Sequence, residues 1–176
     1  MIRHVIRQSL WIPRPREDVF SFFARAENLS RITPPELGFR ILSGTPVNMA
    51  RGAMIDYTIS LYGIPMKWRT EITHWNPPYS FEDTQRRGPY GEWVHTHRFI
   101  EALDGTTIED RVVYSMRFGA VGRLVHPVVA RQLRRIFDYR TRILAQLFGD
   151  EASVPGKPPL TVSSAAGTYA HAHRRR

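Results

Sequence analysis

Glu92–Met116, with the sequence EWVHTHRFIEALDGTTIEDRVVYSM, reads as two β-strands joined by a tight turn. Polar and apolar residues alternate along both halves, which is the period of a strand with one buried face. Asp104-Gly105, between the two halves, is a hairpin-turn signal. The stretch therefore predicts an antiparallel hairpin that has one face in solvent and the other against an interior.

Further strands are predicted upstream of this hairpin. His4–Ile12 is a short mixed run closed by Pro13 and Pro15, which indicates a first strand followed by a break. From Phe39 to Met116 the chain reads as five or six strands, which must pair as antiparallel hairpins because they lie so close in sequence. The turn signals that separate them are Ser43-Gly44, 62–65 (YGIP), 76–78 (NPP), 87–89 (RGP) and Asp104-Gly105.

Helices are predicted at both ends of this run of strands. Pro15 and the acidic residues after it precede Val19–Phe23, which favours a short helix, and 27–32 (ENLSRI) adds a second. After Gly122 the apolar residues recur at helical spacing and predict a helix of roughly 25 residues that ends near Phe148.

Size and charge predict one domain over residues 1–149 and a disordered basic tail over 150–176. The formal net charge is +9, of which Lys157 and three C-terminal arginines, offset by Glu151, contribute +3. This charge permits weak contact with anionic surfaces or acidic partners. The arginines are scattered over nearly every segment instead of being concentrated on one element, so we expect no specific nucleic-acid binding.

The sequence also bears on the compartment. It has no cysteine, which excludes disulfides and cysteine nucleophiles and agrees with a reducing environment. No apolar run approaches the roughly 18 residues of a transmembrane span, and charged residues interrupt the only apolar stretch at the amino terminus. We therefore expect a cytoplasmic protein without a transmembrane segment.

Several segments resemble one known superfamily. Besides the order of elements, the matching segments are 63–68 (GIPMKW), 81–83 (FED), 87–90 (RGPY), 93–99 (WVHTHRF), 110–114 (DRVVY) and 136–140 (IFDYR). Over residues 1–149 the chain resembles the START-like, polyketide cyclase-dehydrase and birch-allergen superfamily. The resemblance implies an α+β helix-grip fold, in which a curved antiparallel sheet of six to seven strands surrounds the long C-terminal helix. In that superfamily the space between sheet and helix holds lipids, sterols, polyketides or other hydrophobic molecules.

Polar residues are predicted on the inner face of this sheet. If Trp93 faces inward, the two-residue period turns His95 and His97 inward as well, and it groups Asp110 with Tyr114 on the next strand. Asp83 is expected on the same face of the preceding strand, and Arg140 interrupts the apolar side of the long helix. Since arginine keeps its charge, it needs Asp83, Asp110 or a ligand anion as its partner.

Three roles stay open for this polar group. Its members can satisfy one another's hydrogen bonds and charges and so stabilise the packing of sheet and helix. Alternatively, they can orient a ligand, or a histidine can transfer protons. The predicted ligand-binding residues are Tyr57, Trp68, Asp83, Trp93, His95, His97, Phe99, Tyr114 and Arg140, and the candidates for catalysis are His95, His97, Asp110 and Tyr114. The loops at 32–35 (ITPP) and 88–91 (GPYG) are expected to frame the mouth of the cavity.

A metal site is the weaker interpretation of the two histidines. His95 and His97, two apart on one strand, could bind a metal together with Asp83 or Asp110, but such spacing is far more common without a metal. We therefore predict no metal and no cofactor. Nor does the sequence contain a nucleophile elbow or a phosphate-binding glycine loop.

The leading functional hypothesis is binding of a lipid or polyketide-like molecule in an internal cavity, without catalysis. The second is a cyclase, aromatase or dehydratase that uses a cavity histidine, with Asp110 or Tyr114, as acid and base. The third is an interaction module with a filled cavity and a basic helix face.

Overall fold

A computed structural model of the chain describes residues 2–117, 119–149 and 163–165. The strands are β1 Arg3–Ile12, β2 Arg40–Ile41, β3 Met54–Leu61, β4 Ile64–Asn76, β5 Ser80–Arg87, β6 Glu92–Ala102, β7 Gly105–Ser115 and β8 Ser163–Ala165. The α-helices are α1 Arg16–Phe23 and α2 Gly119–Phe148, and two short 3-10 helices cover Ala26–Ser30 and Pro35–Leu37.

The described strands form a single antiparallel sheet in the order β2-β3-β4-β5-β6-β7-β1-β8. β2 to β7 follow one another as hairpin neighbours, and β1 pairs with β7 from Arg3 opposite Ser115 to Ile12 opposite Thr106. With α2 packed on the sheet, this is the predicted helix-grip fold. The strand count exceeds the predicted six to seven because β8 adds an eighth.

Tight turns fix the register of two hairpins. Leu103 and Asp104, between β6 and β7, have φ angles of 41° and 54°, and Tyr62 and Gly63, between β3 and β4, have φ angles of 52° and 79°. Positive φ at both central residues is the two-residue turn whose twist matches that of paired strands. The turn between β6 and β7 is therefore centred one residue earlier than its Asp104-Gly105 signal suggests.

The helical predictions are confirmed for α1 and for the short helix after it, whereas the start of α2 is corrected. The second short helix is the 3-10 helix Ala26–Ser30, and Pro35–Leu37 adds a further 3-10 turn. α2 has 30 residues and begins at Gly119, earlier than predicted. Its first turns carry exposed side chains such as Val121 and Leu124, so hydrophobic periodicity could not reveal them.

A stripe of buried residues fixes α2 on the sheet. Its members recur at intervals of three or four and are Ala130, Leu133, Phe137, Arg140 and Leu144. The side-chain amide of Gln8 on β1 donates a hydrogen bond to the carbonyl oxygen of Phe137 at 3.2 Å, and it also contacts Thr141. The buried stripe thus places a single charged side chain, that of Arg140, against the sheet.

The predicted tail is described at only three residues. The backbone of Ser163–Ala165 pairs antiparallel with Arg3–Val5 of β1, so the prediction of disorder is wrong for these three residues. Three residues carry too little apolar period to be recognised as a strand, and they gain order from the free edge of β1. The rest of 150–176 lies outside the described residues.

No helix in the described part of the chain combines the length and the apolar character that crossing a bilayer requires.

Two histidines join β1 to the first half of α2. The rings of His4 and His126 stack at a centroid separation of 3.6 Å, and the Tyr114 hydroxyl lies 3.0 Å from His126 Nε2. Burial lowers the pKa of His4, and the charge of His126 lowers it further. Burial and nearby Arg134 lower the pKa of His126. Both shifts favour the neutral form of the rings.

This contact should make stability depend on pH. Both histidines have a lower pKa in the folded than in the unfolded state, so the unfolded chain takes up protons first as pH falls below about 6.5. The stability that this contact contributes is fully present above that pH and is lost as pH falls below it. We expect His126→Gln to reduce the fall in midpoint urea concentration between about pH 7 and about pH 5. His74→Gln, at an exposed histidine, is the control; equal pH dependence in both variants contradicts this assignment.

Candidate functional site

A cavity of about 170 Å³ lies between the sheet and α2. Residues of two apolar clusters line it: one cluster is packed around α1 and Leu144, and the other around Leu133 and Phe137. Its volume is similar to that of the roughly 150 Å³ apolar cavities that bind benzene. The apolar side chains that line it are Phe22, Phe23, Ala26, Leu29, Ile32, Leu37, Phe39, Met49, Ile55, Tyr57, Ile59, Leu61, Trp68, Ile72, Phe81, Tyr90, Trp93, Leu133, Ile136 and Phe137.

A polar cluster interrupts one wall of the cavity. It consists of Asp83 on β5, His95 and His97 on β6, Asp110 on β7 and Arg140 on α2. Strand pairing produces it, because Asp83 lies opposite His95 and Asp110 lies opposite His97. Asp83, both histidines and Arg140 line the cavity, whereas Asp110 lies behind the imidazole rings and does not line it.

His97 lies between two carboxylates. Its Nδ1 is 2.7 Å from Asp110 Oδ1, and its Nε2 is 3.2 Å from Asp83 Oδ2. Burial alone lowers the pKa of His97, but the charge of Asp110 and hydrogen bonds to Asp110 and Asp83 outweigh burial and raise it. His97 is therefore the histidine that the site holds protonated more readily.

His95 has the opposite character. Burial and the nearby charge of His97 lower the pKa of His95, and its hydrogen bond to Asp110 only partly offsets them. Because a carboxylate oxygen can only accept, His95 donates from Nε2 to Asp110 Oδ1, over 3.1 Å. Its Nδ1, 3.7 Å from Asp83 Oδ2, is then the unprotonated nitrogen of the neutral ring.

Asp110 and Arg140 form a buried ion pair. The Nε and Nη2 atoms of Arg140 lie 3.4 Å from Asp110 Oδ2 and Oδ1, and both side chains are more than nine-tenths buried. Burial by itself raises the pKa of Asp110, but Arg140 and the two histidines lower it well below its usual range. Of the partners expected for Arg140, the structure places Asp110 in contact with it.

The cavity contains most, but not all, of the predicted ligand-binding residues. Tyr57, Trp68, Asp83, Trp93, His95, His97 and Arg140 line it. Phe99 does not, because it packs against Phe20 and Phe23 of α1 at the far end of β6. Tyr114 does not either: its hydroxyl faces His126, and burial raises the pKa of Tyr114 to about 12.

Other lining residues come from segments that the sequence did not connect with the cavity. Phe22 and Leu29 lie in and after α1, and Phe39 and Met49 lie in loops around β2. Phe22 lies in a predicted helix, but periodicity does not show which element its side chain meets, and the other three residues lie in segments too short or irregular for a periodic signal. Of the two loops expected at the mouth, Ile32 and Thr33 from one and Tyr90 from the other line the cavity, and Tyr90 is buried.

Comparison with known proteins agrees with this architecture. A sequence profile described as "Polyketide cyclase / dehydrase and lipid transport" matches residues 12–138. The chain belongs to this family. No curated protein sequence matches it.

Solved structures support the same fold at low sequence identity. A protein of Thermus thermophilus is 16% identical, with a TM-score of 0.61 over 81% of this chain and 94% of its own. A START superfamily protein from Mycobacterium smegmatis is 13% identical, with a TM-score of 0.61 over 82% and 99%. Ginseng major latex-like protein from Panax ginseng is 12% identical, with a TM-score of 0.58 over 83% and 97%. At such identities these likenesses concern the fold alone.

The buried ion pair leads to a stability prediction. We expect Arg140→Met to lower the free energy of unfolding by about 3–5 kcal/mol, because it leaves Asp110 buried without its cationic partner. Adding Asp110→Asn, which removes the unpaired charge, should restore part of that loss. Urea unfolding measures both effects.

Arg69→Met is the matched control. Arg69 pairs with Asp56 at 2.8 Å on the protein surface, where such a pair is worth about 0–1 kcal/mol. If Arg140→Met costs no more than Arg69→Met, the buried pair does not have the structural role assigned to it.

Proposed function

We propose that the protein binds a compact hydrophobic molecule that carries at least one hydrogen-bond-accepting oxygen. The cavity between the sheet and α2 is the observation that carries this proposal, because its walls are mostly aromatic and aliphatic. The exceptions are the polar cluster and the side chains of Arg25, Asn28, Thr33 and Thr70. Pockets of this kind, apolar with a few converging polar groups, are typical ligand sites. Its volume of about 170 Å³ favours a ring-containing, polyketide-like molecule over an extended lipid chain.

An unpaired donor supports the requirement for oxygen. Trp68 is buried and lines the cavity, and among the described residues nothing accepts a hydrogen bond from its Nε1. An unsatisfied buried donor costs about 1–3 kcal/mol. A carbonyl, hydroxyl or carboxylate oxygen on a ligand would remove that cost.

The ligand should be detectable directly. We expect native mass spectrometry of the purified chain to show an added small hydrophobic mass that denaturation releases. The dye 1-anilinonaphthalene-8-sulfonate should compete for the same cavity. Ile136→Trp fills the cavity from α2 and should abolish the added mass and weaken dye binding at least tenfold. Leu124→Trp, at an exposed position of the same helix, should change neither.

A second pair of variants tests the oxygen acceptor. Trp68→Phe removes the free N–H. It should weaken the binding of the co-purified ligand by roughly five- to tenfold, which is the equivalent of one hydrogen bond. Trp75→Phe removes an indole that does not line the cavity and is the control. The proposal that a ligand binds in this cavity is contradicted if Ile136→Trp leaves the added mass in place, or if no preparation contains such a mass.

Catalysis of the cyclase, aromatase or dehydratase kind is the second candidate. The observation that favours it is a pair of imidazoles, with ring centroids 3.8 Å apart, whose pKa values shift in opposite directions at the cavity wall. Such a pair can supply an acid and a base at one pH. Asp110 would act through the histidines, and Tyr114 has no access from the cavity.

Separate His95→Gln and His97→Gln variants distinguish the two functions. For an enzyme, each should lower turnover of the co-purified molecule or of a poly-β-keto thioester by about 100-fold or more, with binding retained. His74→Gln is the control at an exposed histidine. If the wild-type chain binds the molecule but does not convert it, catalysis is contradicted and the protein acts as a carrier.

Two expectations from the sequence, the cytoplasmic location and the weak attraction to charged partners, stay predictions. The expectation of a cytoplasmic location rests on amino-acid composition. Weak attraction to anionic surfaces or acidic partners is supported by exposed Arg123, Arg131 and Arg135 on α2.

A further inference from the structure

Three side chains of the polar cluster present ligand atoms to a common point. Asp83 Oδ2 lies 3.2 Å from His97 Nε2 and 3.7 Å from His95 Nδ1, and all three atoms lie within 4.8 Å of one another. Around a tetrahedral metal with bonds of about 2.0–2.1 Å, neighbouring ligand atoms are ~3.3 Å apart. The two separations from Asp83 differ from that value by a few tenths of an ångström.

Asp110 holds both imidazoles in the orientation that such a site requires. His95 presents Nε2 to Asp110 at 3.1 Å, and His97 presents Nδ1 to the same oxygen at 2.7 Å. The remaining nitrogen of each ring is therefore the one nearer Asp83. Metal-binding histidines commonly donate their other N–H to a carboxylate, which fixes the tautomer and the ring.

The surrounding charge and access also suit a cation. Two carboxylates and one guanidinium leave this cluster with a charge of −1 when both imidazoles are neutral. Arg140 pairs with Asp110, and its Nη2 lies 3.4 Å from His97 Nδ1, the ring nitrogen on the side away from Asp83. Asp83, His95 and His97 line the cavity and Asp110 does not, so a metal held by the first three has its open coordination positions toward the cavity.

From this geometry we propose that Asp83, His95 and His97 bind a divalent transition metal, with Asp110 as the orienting carboxylate. Two histidines and one carboxylate with open positions form a donor set used by zinc and by non-haem iron. From the sequence we predicted no metal, because this spacing of histidines is far more common without one; the structure adds that Asp83 lies opposite His95 and that Asp110 contacts both rings. An oxygen of a cavity ligand can complete the coordination.

Isothermal titration of the full chain with Zn²⁺ tests this site. His171 and His173 in the C-terminal segment can bind zinc on their own, so the reference protein carries His171→Gln and His173→Gln. We expect one Zn²⁺ per chain in this reference. Added His95→Gln or Asp83→Asn should weaken binding at least 100-fold, and Asp110→Asn by about 10–100-fold. His74→Gln, at an exposed histidine, should leave the affinity unchanged.

Replacement by Co²⁺ gives an independent readout, since visible absorption bands report nitrogen coordination whether or not a ligand is bound. The proposal is overturned if the reference protein binds no zinc, or if Asp83→Asn and His95→Gln bind it as tightly as the reference. If His95→Gln does not fold, as judged by circular dichroism, the near-isosteric Asp83→Asn decides alone. If the chain binds zinc but no molecule co-purifies with it, the metal site is supported and the proposed ligand binding is contradicted. If a molecule co-purifies but zinc does not bind, only the metal site is contradicted.

Discussion

The contact between Arg140 and Asp110 is the constraint on which the interior depends. Arg140 occupies a position of α2 where the helical period demands a buried side chain, between Phe137 and Leu144. A guanidinium cannot discharge itself by losing a proton, and its burial needs a carboxylate at the same depth. β7 supplies Asp110 because the strand period turns that residue inward. The helix and the sheet are thereby joined by charge as well as by apolar packing.

The histidines follow from the same constraint. Arg140 approaches Asp110 from the helix side, and the remaining carboxylate lone pairs face β6, where His95 and His97 donate to them. Only His97 lies between two carboxylates at hydrogen-bond distance, and this difference shifts the two pKa values in opposite directions. An arrangement that first satisfies a buried arginine therefore also creates two imidazoles with different proton affinities at the wall of a cavity.

Sequence periodicity predicted which face of each strand is buried but not what lies against it. His95, His97 and Phe99 all face inward as predicted, yet only the first two reach the cavity. The difference lies along the strand: α1 covers the end near Phe99, and α2 leaves the middle open. Tyr114 also faces inward without reaching the cavity, because His126 covers the end of β7.

The long helix shows a second limit of periodicity. Its buried turns were predicted from their apolar spacing, whereas its exposed first turns were not. Asp83 was expected on the same face as the histidines, but its position directly opposite His95 depends on the loop between β5 and β6, which periodicity does not describe.

The mixed character of the cavity determines which molecules it can select. An apolar wall alone discriminates weakly, because one methylene more or less changes affinity by about 1–3 kcal/mol. Trp68 on β4 adds a buried donor, and the polar cluster adds acceptors and a cation from β5, β6 and α2. A pure hydrocarbon would leave the Trp68 N–H unpaired at a cost of about 1–3 kcal/mol, whereas an oxygenated ring can satisfy it. The two groups lie on different strands, so they constrain the orientation of a ligand as well as its composition. The same fold can thus serve a carrier or an enzyme, and under the proposed function the polar cluster would select which atoms of a ligand meet the imidazoles.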